Sequence, residues 1–381
     1  MLPRHDLRHP DGRILRVYGA YDGSPLVDAD EPVPPPAVHL RRNPLTGSWV
    51  AISPARNVRP QSRAGDAEGP ACPLCPGGPE VPFPYEAAVF DNRFPTLLSD
   101  PPDPPDGLAG QVAPARGRCE VVLYTPTHTG SLATLSAAES ARVVAIWVDR
   151  SRELRADPAH RAVVVFENRG EDVGATLPHP HGQIYALDHL PPPLARRGEV
   201  LEDHRLRTGR CRSCEVVAAD LDASERTLAA NRSFTVGVPF APDWPFEVHV
   251  RARRHGARSL ADLGADERRD LAIALRDVVR RYDRMDDTPA AYMMVCHQSP
   301  VADDGAEVAD WHLSFEFLPP RRAPGKLKVR ASVETATGLF INDTVPERSA
   351  AQLAELATDH DPDGAPFPDL EVQVVPDASG G

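Results

Sequence analysis

Two Cys-x-x-Cys pairs occur in this chain, and each is followed by two histidines, an arrangement that is typical of metal binding. The first group is Cys72, Cys75, His128 and His179, and the second is Cys211, Cys214, His255 and His312. Zn²⁺ prefers four thiolate or imidazole ligands in a tetrahedron, and a full protein shell leaves no position for water. The spacing therefore predicts two structural zinc sites. The alternative is that the cysteine pairs are redox motifs and the histidines ordinary polar residues.

The segment LPHPHGQIYA, residues 177–186, contains a second histidine beside a predicted metal ligand. In an extended chain, residues i and i+2 project to the same side, so His181 should lie next to His179. Pro180 restricts the backbone between them. Imidazole is largely neutral near pH 7 and is then a good nucleophile, which makes His181 a candidate for covalent catalysis. An arbitrary His-x-His would more often be a pair of hydrogen-bonded histidines.

The elements that would position these residues are short valine-rich strands and two amphipathic helices. CEVVLYTP, from Cys119, and RAVVVFEN, from Arg161, are typical of buried strands. Ser136 and Glu139 form a capping-box pattern that predicts the start of a helix. A second helix is predicted over ERRDLAIALRDVVRRYDRM, near residues 267–285, because its apolar residues keep helical spacing.

The same order of features occurs twice along the chain. SLATLSAAE at 131–139 and SLADLGADE at 259–267 share six positions in the pattern Ser-Leu-Ala-x-Leu-x-Ala-x-Glu, and one of the predicted histidines precedes each. Each copy runs from Cys-x-x-Cys through a histidine and a helix to a His-x-His or His-x-Ser. We therefore expect two fused copies of one α+β unit, each an antiparallel sheet with packed helices.

Composition narrows the classes of function. The formal net charge of −13 argues against nucleic acid as the main partner, but a small phosphate ligand needs only a few local arginines. The amino-terminal residues lack the apolar stretch of a signal peptide, and no apolar run approaches the length of a membrane span. We expect a cytoplasmic protein that uses its cysteines for metal rather than for disulfides.

Four regions are predicted along the chain. Residues 1–40 are read as an extended lead-in, 41–195 as the first unit, 196–345 as the second, and 346–381 as a helix followed by a mobile tail. Proline and glycine dominate residues 96–118, which predicts a long loop.

Several motifs in family order resemble the galactose-1-phosphate uridylyltransferases of the histidine-triad superfamily. FENRGEDVGATLPHPHGQIYA resembles the active-site segment of that family. The other similar segments are RRNPLTGSWVAISPARNVRPQS, CPLC, VFDNRFPTLLSD, YTPTHTGSL and RRAPGKLK. The resemblance spans most of residues 40–345. It implies two histidine-triad-like halves, usually in a homodimer whose active sites use both subunits.

The resemblance also implies a double displacement. UDP-glucose would transfer its uridylyl group to His181, and galactose 1-phosphate would then take it up to give UDP-galactose. Gln183 corresponds to the amide that steadies the phosphoryl group. The residues that match substrate-binding positions are Arg56 and Arg59 for phosphates, Asn92 for the uridine, Asn168 and Thr176 for the phosphate pocket, and Glu334 for sugar hydroxyls.

The second unit departs from the family pattern, because Ser314 and Glu316 stand where some members have further metal-binding histidines. The second unit ends in His312-Leu-Ser314 and so lacks an equivalent of His181, and one reaction centre per chain is therefore expected. With its Cys211–Cys214 pair, the second unit more closely resembles the branch of the family that includes ADP-glucose phosphorylases. The alternatives are a phosphorylase of that type, a nucleotide hydrolase of the superfamily, or a zinc-stabilised nucleotide-sugar-binding protein without turnover.

Overall fold

A computed structural model describes residues 1–26, 37–58, 72–302, 305–356 and 367–376. The predicted phosphate ligand Arg59 lies outside the described residues. The strands are β1 Leu2–Arg8, β2 Ile14–Tyr18, β3 His39–Arg42, β4 Trp49–Ile52, β5 Ala87–Asp91, β6 Val112–Pro114, β7 Gly117–Leu123, β8 Ala162–Arg169, β9 His181–Leu187, β10 Thr227–Ala230, β11 Phe234–Gly237, β12 Val248–Ala252, β13 Tyr292–His297, β14 Ser314–Leu318, β15 Arg321–Ala323, β16 Lys326–Leu327 and β17 Val372–Val374. The helices are α1 Ala137–Ala156, α2 Pro192–Thr208, α3 Arg212–Ala223, α4 Ala265–Asp283, α5 Ser332–Thr337 and α6 Pro346–Glu355.

Twelve of the strands form one sheet, in the order β10-β11-β12-β14-β13-β8-β9-β7-β5-β2-β1-β17. From the centre of the sheet outward, the strand order is β8-β9-β7-β5 on one side and β13-β14-β12-β11 on the other, and the two sets correspond strand by strand. The predicted repeat is therefore visible as two strand sets of the same order that meet at β8 and β13. The mixed helix and antiparallel-sheet architecture is the α+β class expected from the sequence. The boundary between units at residue 195 stays a prediction.

The helices α1 and α4 lie on one face of the sheet and cover its main apolar core. Ser136 caps α1 as predicted, because its side chain accepts the Glu139 amide while the Glu139 carboxylate accepts the Ser136 amide. Trp147 and Leu275 on these helices are buried, as are Ile184 and Phe315 on the strands beneath. The opposite face of the sheet carries the polar residues discussed below.

The two ends of the chain differ from the expected lead-in and tail. Residues 2–8 and 14–18 extend the main sheet, and residues 372–374 pair in parallel with β1. The segment LPRHDLR gave no apolar signal because its buried residues include an arginine. Arg4 is buried, and its guanidinium lies 3.0 Å from the Asp149 carboxylate of α1. Residues 112–114 form β6, so the predicted loop over 96–118 ends earlier than expected.

A carboxyl group is buried beside the seam between β8 and β13. Glu167 is the cross-strand partner of Met294 and accepts a 2.7 Å hydrogen bond from the Tyr292 hydroxyl. Burial raises the pKa of Glu167 to about 7. Because the folded-state pKa exceeds the unfolded one, this group favours folding most at low pH. That contribution is lost as the pH rises from about 4.5 through 7.

We expect Glu167→Gln to remove this dependence. The variant should gain about 1–3 kcal/mol over the wild type at pH 8 and little at pH 5, because no buried charge then forms. Urea unfolding of both proteins at the two pH values measures the difference. Equal pH dependence of the two proteins would contradict the assignment.

Candidate active site and metal centres

The first group of predicted metal ligands converges on one point beside the carboxyl-terminal end of β7. Its four ligand atoms all lie within 4.8 Å of one another. The Cys75 sulfur is 3.4 Å from Nδ1 of His128 and 3.6 Å from Nδ1 of His179, and the Cys72 sulfur is 4.0 Å from the latter. Zn–S bonds of about 2.3 Å and Zn–N bonds of about 2.0 Å in a tetrahedron give S···N edges of about 3.5 Å. The geometry therefore fits a tetrahedral ion.

The second group has the same form. The Cys214 sulfur lies 3.4 Å from Nε2 of His312 and 3.6 Å from Nδ1 of His255, and the Cys211 sulfur lies 3.6 Å from His312. Cys211 is the N-cap residue of α3, so this Cys-x-x-Cys lies at the start of a helix. The two groups can each hold a metal ion, and the geometry by itself does not identify the metal.

One histidine in each group has its orientation fixed by a backbone carbonyl. Nε2 of His179 lies 2.8 Å from the Thr125 carbonyl oxygen, and Nδ1 of His312 lies 2.9 Å from that of Ala252. Donation of the ring N–H to a carbonyl directs the other nitrogen to the thiols. Burial lowers the pKa of His179 to about 4, so the ring is in the neutral form that binds metal. Burial also raises the pKa of the Cys75 and Cys214 thiols to about 11.

His181 is the first residue of β9 and is half-buried. Its Nδ1 lies 2.7 Å from the carbonyl oxygen of His179, which is itself a predicted metal ligand. Because a carbonyl oxygen only accepts, Nδ1 carries the proton, and the neutral ring has its lone pair on Nε2. A metal held by His179 would thus fix the orientation of His181 through one peptide carbonyl.

Four of the residues that the sequence predicts for catalysis or substrate binding line one cavity of about 110 Å³ on the polar face of the sheet. They are Asn92, Thr176, His181 and Gln183. Gln183 shares the face of His181 because it lies two residues further along β9. The sequence reasoning missed Glu80 and Arg93, which also line this cavity. Glu80 is buried and pairs with Arg13 at 2.6 Å. The sequence feature that could have indicated Glu80 is its position as a charged residue close to Cys72 and Cys75.

Three other predicted residues lie outside that cavity lining. Arg56 donates to the Thr96 hydroxyl at 2.9 Å and lies 3.4 Å from the Tyr185 hydroxyl, so it sits further along the same face of β9. Asn168 also belongs to this face, since Phe166 in the same strand pairs with Gln183. Glu334 lies in the other half, where the Lys328 ammonium contacts its carboxylate at 2.7 Å and lowers its pKa.

Comparison with known proteins identifies two matched regions. The family model of the amino-terminal domain of galactose-1-phosphate uridyl transferase matches residues 34–191, and that of the carboxyl-terminal domain matches residues 194–363. A galactose-1-phosphate uridylyltransferase of Thermotoga maritima is 38% identical over 320 residues, covering 84% of this chain and 98% of the relative.

Solved structures agree with these matches. A uridylyltransferase structure has a TM-score of 0.73 at 31% identity, covering 84% of this chain and 98% of that one. An ADP-glucose phosphorylase of Arabidopsis thaliana with bound ADP-glucose has a TM-score of 0.63 at 24% identity, covering 84% and 99%. The second similarity concerns the fold alone. In the described residues, no helix combines the length and apolar character required to cross a membrane.

Proposed function

Because the chain belongs to the galactose-1-phosphate uridylyltransferase family, we propose that it exchanges a uridylyl group between UDP-glucose and galactose 1-phosphate through a covalent intermediate on His181. The observation that carries the residue assignment is the joint placement of His181, Gln183, Asn92 and Thr176 in one cavity. The hydrogen bond from His181 Nδ1 to the His179 carbonyl supports Nε2 as the attacking atom.

The reaction balances in two displacements. Nε2 of His181 attacks the α-phosphorus of UDP-glucose, a P–N bond forms, and the P–O bond to glucose 1-phosphate breaks. A phosphate oxygen of galactose 1-phosphate then attacks the same phosphorus, and the electrons of the P–N bond return to Nε2. The imidazole is positively charged in the intermediate, and the carbonyl that accepts from Nδ1–H stabilises this charge.

The remaining residues bind and orient. The Gln183 amide donates to a phosphoryl oxygen, Asn92 is assigned to the uridine, and Thr176 is assigned to the phosphate pocket. Arg56 supplies a guanidinium whose fork suits phosphate oxygens, and Arg59 and Asn168 are assigned to the same task. In-line positioning and charge neutralisation account for most catalysis of phosphoryl transfer.

The metal in both Cys/His groups is assigned as zinc. Two thiolates and two imidazoles are a preferred zinc set, and four protein ligands leave no open position, so the ion is structural. At the first site, the ion would fix the position of the segment that contains His179. All steps of the chemistry use the protein's own side chains.

The active form is assigned as a homodimer, as the family resemblance implies. Glu334 does not line the His181 cavity of its own chain. The segment around it exposes several large apolar side chains, and exposed apolar surface favours association. These residues are Leu327, Val329, Val333, Leu339, Ile341 and Val345.

A donor–acceptor matrix tests the substrate assignment. UDP-glucose and ADP-glucose are each supplied with galactose 1-phosphate or inorganic phosphate, and products are separated by anion-exchange chromatography. We expect UDP-glucose with galactose 1-phosphate to give the highest kcat/KM. Faster release of ADP from ADP-glucose with phosphate would replace the transferase by the phosphorylase. Water as the preferred acceptor would indicate a hydrolase.

A further inference from the structure

The second half contains a position equivalent to the His181 site. One cross-strand row of the sheet passes through Gln183, Phe166, Val295, Glu316 and His249, because each is the direct partner of the next. Direct partners share a face of the sheet. Glu316 therefore occupies on β14 the place of Gln183 on β9, and it lies on the same face.

Ser314 then occupies the place of His181, since each lies two residues before its row member. His312 repeats the role of His179 as a metal-binding residue with a carbonyl-bound ring. The sheet thus presents two related sites on one face, and the second has a hydroxyl in place of the nucleophilic imidazole.

A cavity of about 480 Å³ lies at this second position, between the sheet and the helices α2 and α3. Its lining includes Trp311, three valines and Leu201, so much of its wall is apolar. Pockets for small molecules combine apolar walls with a few charged groups in this way. The volume is ample for a nucleotide.

The charged groups of the cavity are arginines. Among the described side chains that line it, none is a carboxylate, although the chain as a whole carries a net charge of −13. The cationic members are Arg196, Arg197, Arg212 and Arg251. An anion is the complementary ligand for such a lining.

The two inner arginines each pair with a carboxylate that is not part of the cavity lining. Arg251 contacts Asp220 at 2.7 Å, and Arg197 contacts Glu316 at 2.7 Å and lies over the Trp311 ring. Each guanidinium has five N–H donors, so these contacts, together with that of Arg251 to His249, orient the arginines and leave donors for a phosphate. The two outer arginines, Arg196 and Arg212, are largely exposed at the rim, where they pair with Glu199 at 3.1 Å and Glu215 at 3.5 Å. Exposed pairs of this kind are weak, so a phosphate can compete with the carboxylate for each guanidinium.

We infer that this cavity binds a nucleoside monophosphate without turnover. The phosphate meets the arginines and the base lies against the apolar wall. His249, which also lines the cavity, is not available as a base for Ser314, because its Nδ1 accepts from Arg251 and its Nε2 donates to Glu247 at 2.6 Å. This inference goes beyond the proposed function, and the exchange reaction at His181 does not require it.

Equilibrium dialysis of the metal-loaded full-length protein with labelled UMP tests the inference. We expect two UMP per chain in the wild type. The Arg196→Gln/Arg212→Gln variant should weaken one of the two sites by about 10-fold, since each lost charge contact contributes modestly at an exposed rim. Val216→Trp, which fills the cavity, should abolish that site. Arg207→Gln on the same helix α2 lies outside the cavity lining and serves as the matched control.

The outcomes separate this inference from the proposed function. One UMP per chain in the wild type, or two that survive Val216→Trp in a folded protein, would overturn the second site. Inorganic phosphate that binds there as tightly as UMP would overturn the nucleotide assignment. A wild-type protein that binds two UMP per chain but does not catalyse the exchange reaction would refute the proposed function and would still support the second site.

Discussion

Replacement of His181 by alanine is expected to lower kcat for uridylyl exchange by at least about 10³-fold. Removal of an essential nucleophile typically leaves only the residual rate that positioning and charge stabilisation supply. The remaining cavity residues would still bind UDP-glucose, so KM should change far less than kcat. Steady-state kinetics with UDP-glucose and galactose 1-phosphate measure both parameters.

His189→Asn is the matched control for this variant. His189 follows the same strand, pairs with Asp188 and does not line the His181 cavity. It should retain near wild-type kcat. Metal content and thermal stability of both variants should equal those of the wild type, because neither residue belongs to a Cys/His group. A His181→Ala protein with full kcat would remove the covalent mechanism.

Cys75→Ser is expected to have the second large effect. The Cys75 sulfur contacts both histidines of the first group, so its loss should release one metal ion per chain. The segment that carries His179 then loosens, and with it the carbonyl that orients His181. Loss of a group that orients a metal-binding residue typically lowers metal affinity or activity 10- to 100-fold. We therefore expect kcat of Cys75→Ser to fall by at least about 10- to 100-fold.

Cys214→Ser is the comparison within the same fold. Its sulfur has the corresponding position in the second group, and its loss should also release one metal ion. The second group does not orient His181, so the decrease in kcat should be smaller than that of Cys75→Ser. Metal analysis of dialysed protein would show about two ions per wild-type chain and one in either variant. Equal losses of activity in the two variants would contradict a positioning role for the first metal.

Much of the fold was predictable because several helices and strands are indicated by patterns within short segments of the sequence. The capping box at Ser136 and the apolar period of α4 are properties of short segments, and both helices lie where expected. The pairing of β8 with β13 was not predictable, since two apolar strands give no information on which edges meet. The strand at Leu2–Arg8 was missed because a buried arginine that pairs with a carboxylate, Arg4, does not contribute to an apolar pattern.

The candidate site was predictable where residues are close in sequence or follow a family motif. His181 and Gln183 share a strand, and Asn92 and Thr176 reach the same cavity from other segments. Glu80 was missed because its role depends on Arg13, which is distant in sequence and brought near by the pairing of β2 with β5. The cavity of the second half could not be predicted, because it is formed by two helices over a sheet whose register only the structure gives.

Trapping the intermediate is the most direct measurement of the central mechanism. The wild-type protein is mixed with UDP-glucose that carries ³²P in the α-phosphate, quenched in base and digested, and labelled peptides are sequenced. A phosphoramidate on histidine is stable in base and labile in acid. The account predicts base-stable label on the peptide that contains His181 and its release by galactose 1-phosphate. Active protein that retains no label, or a His181→Ala protein that is labelled equally, would contradict it.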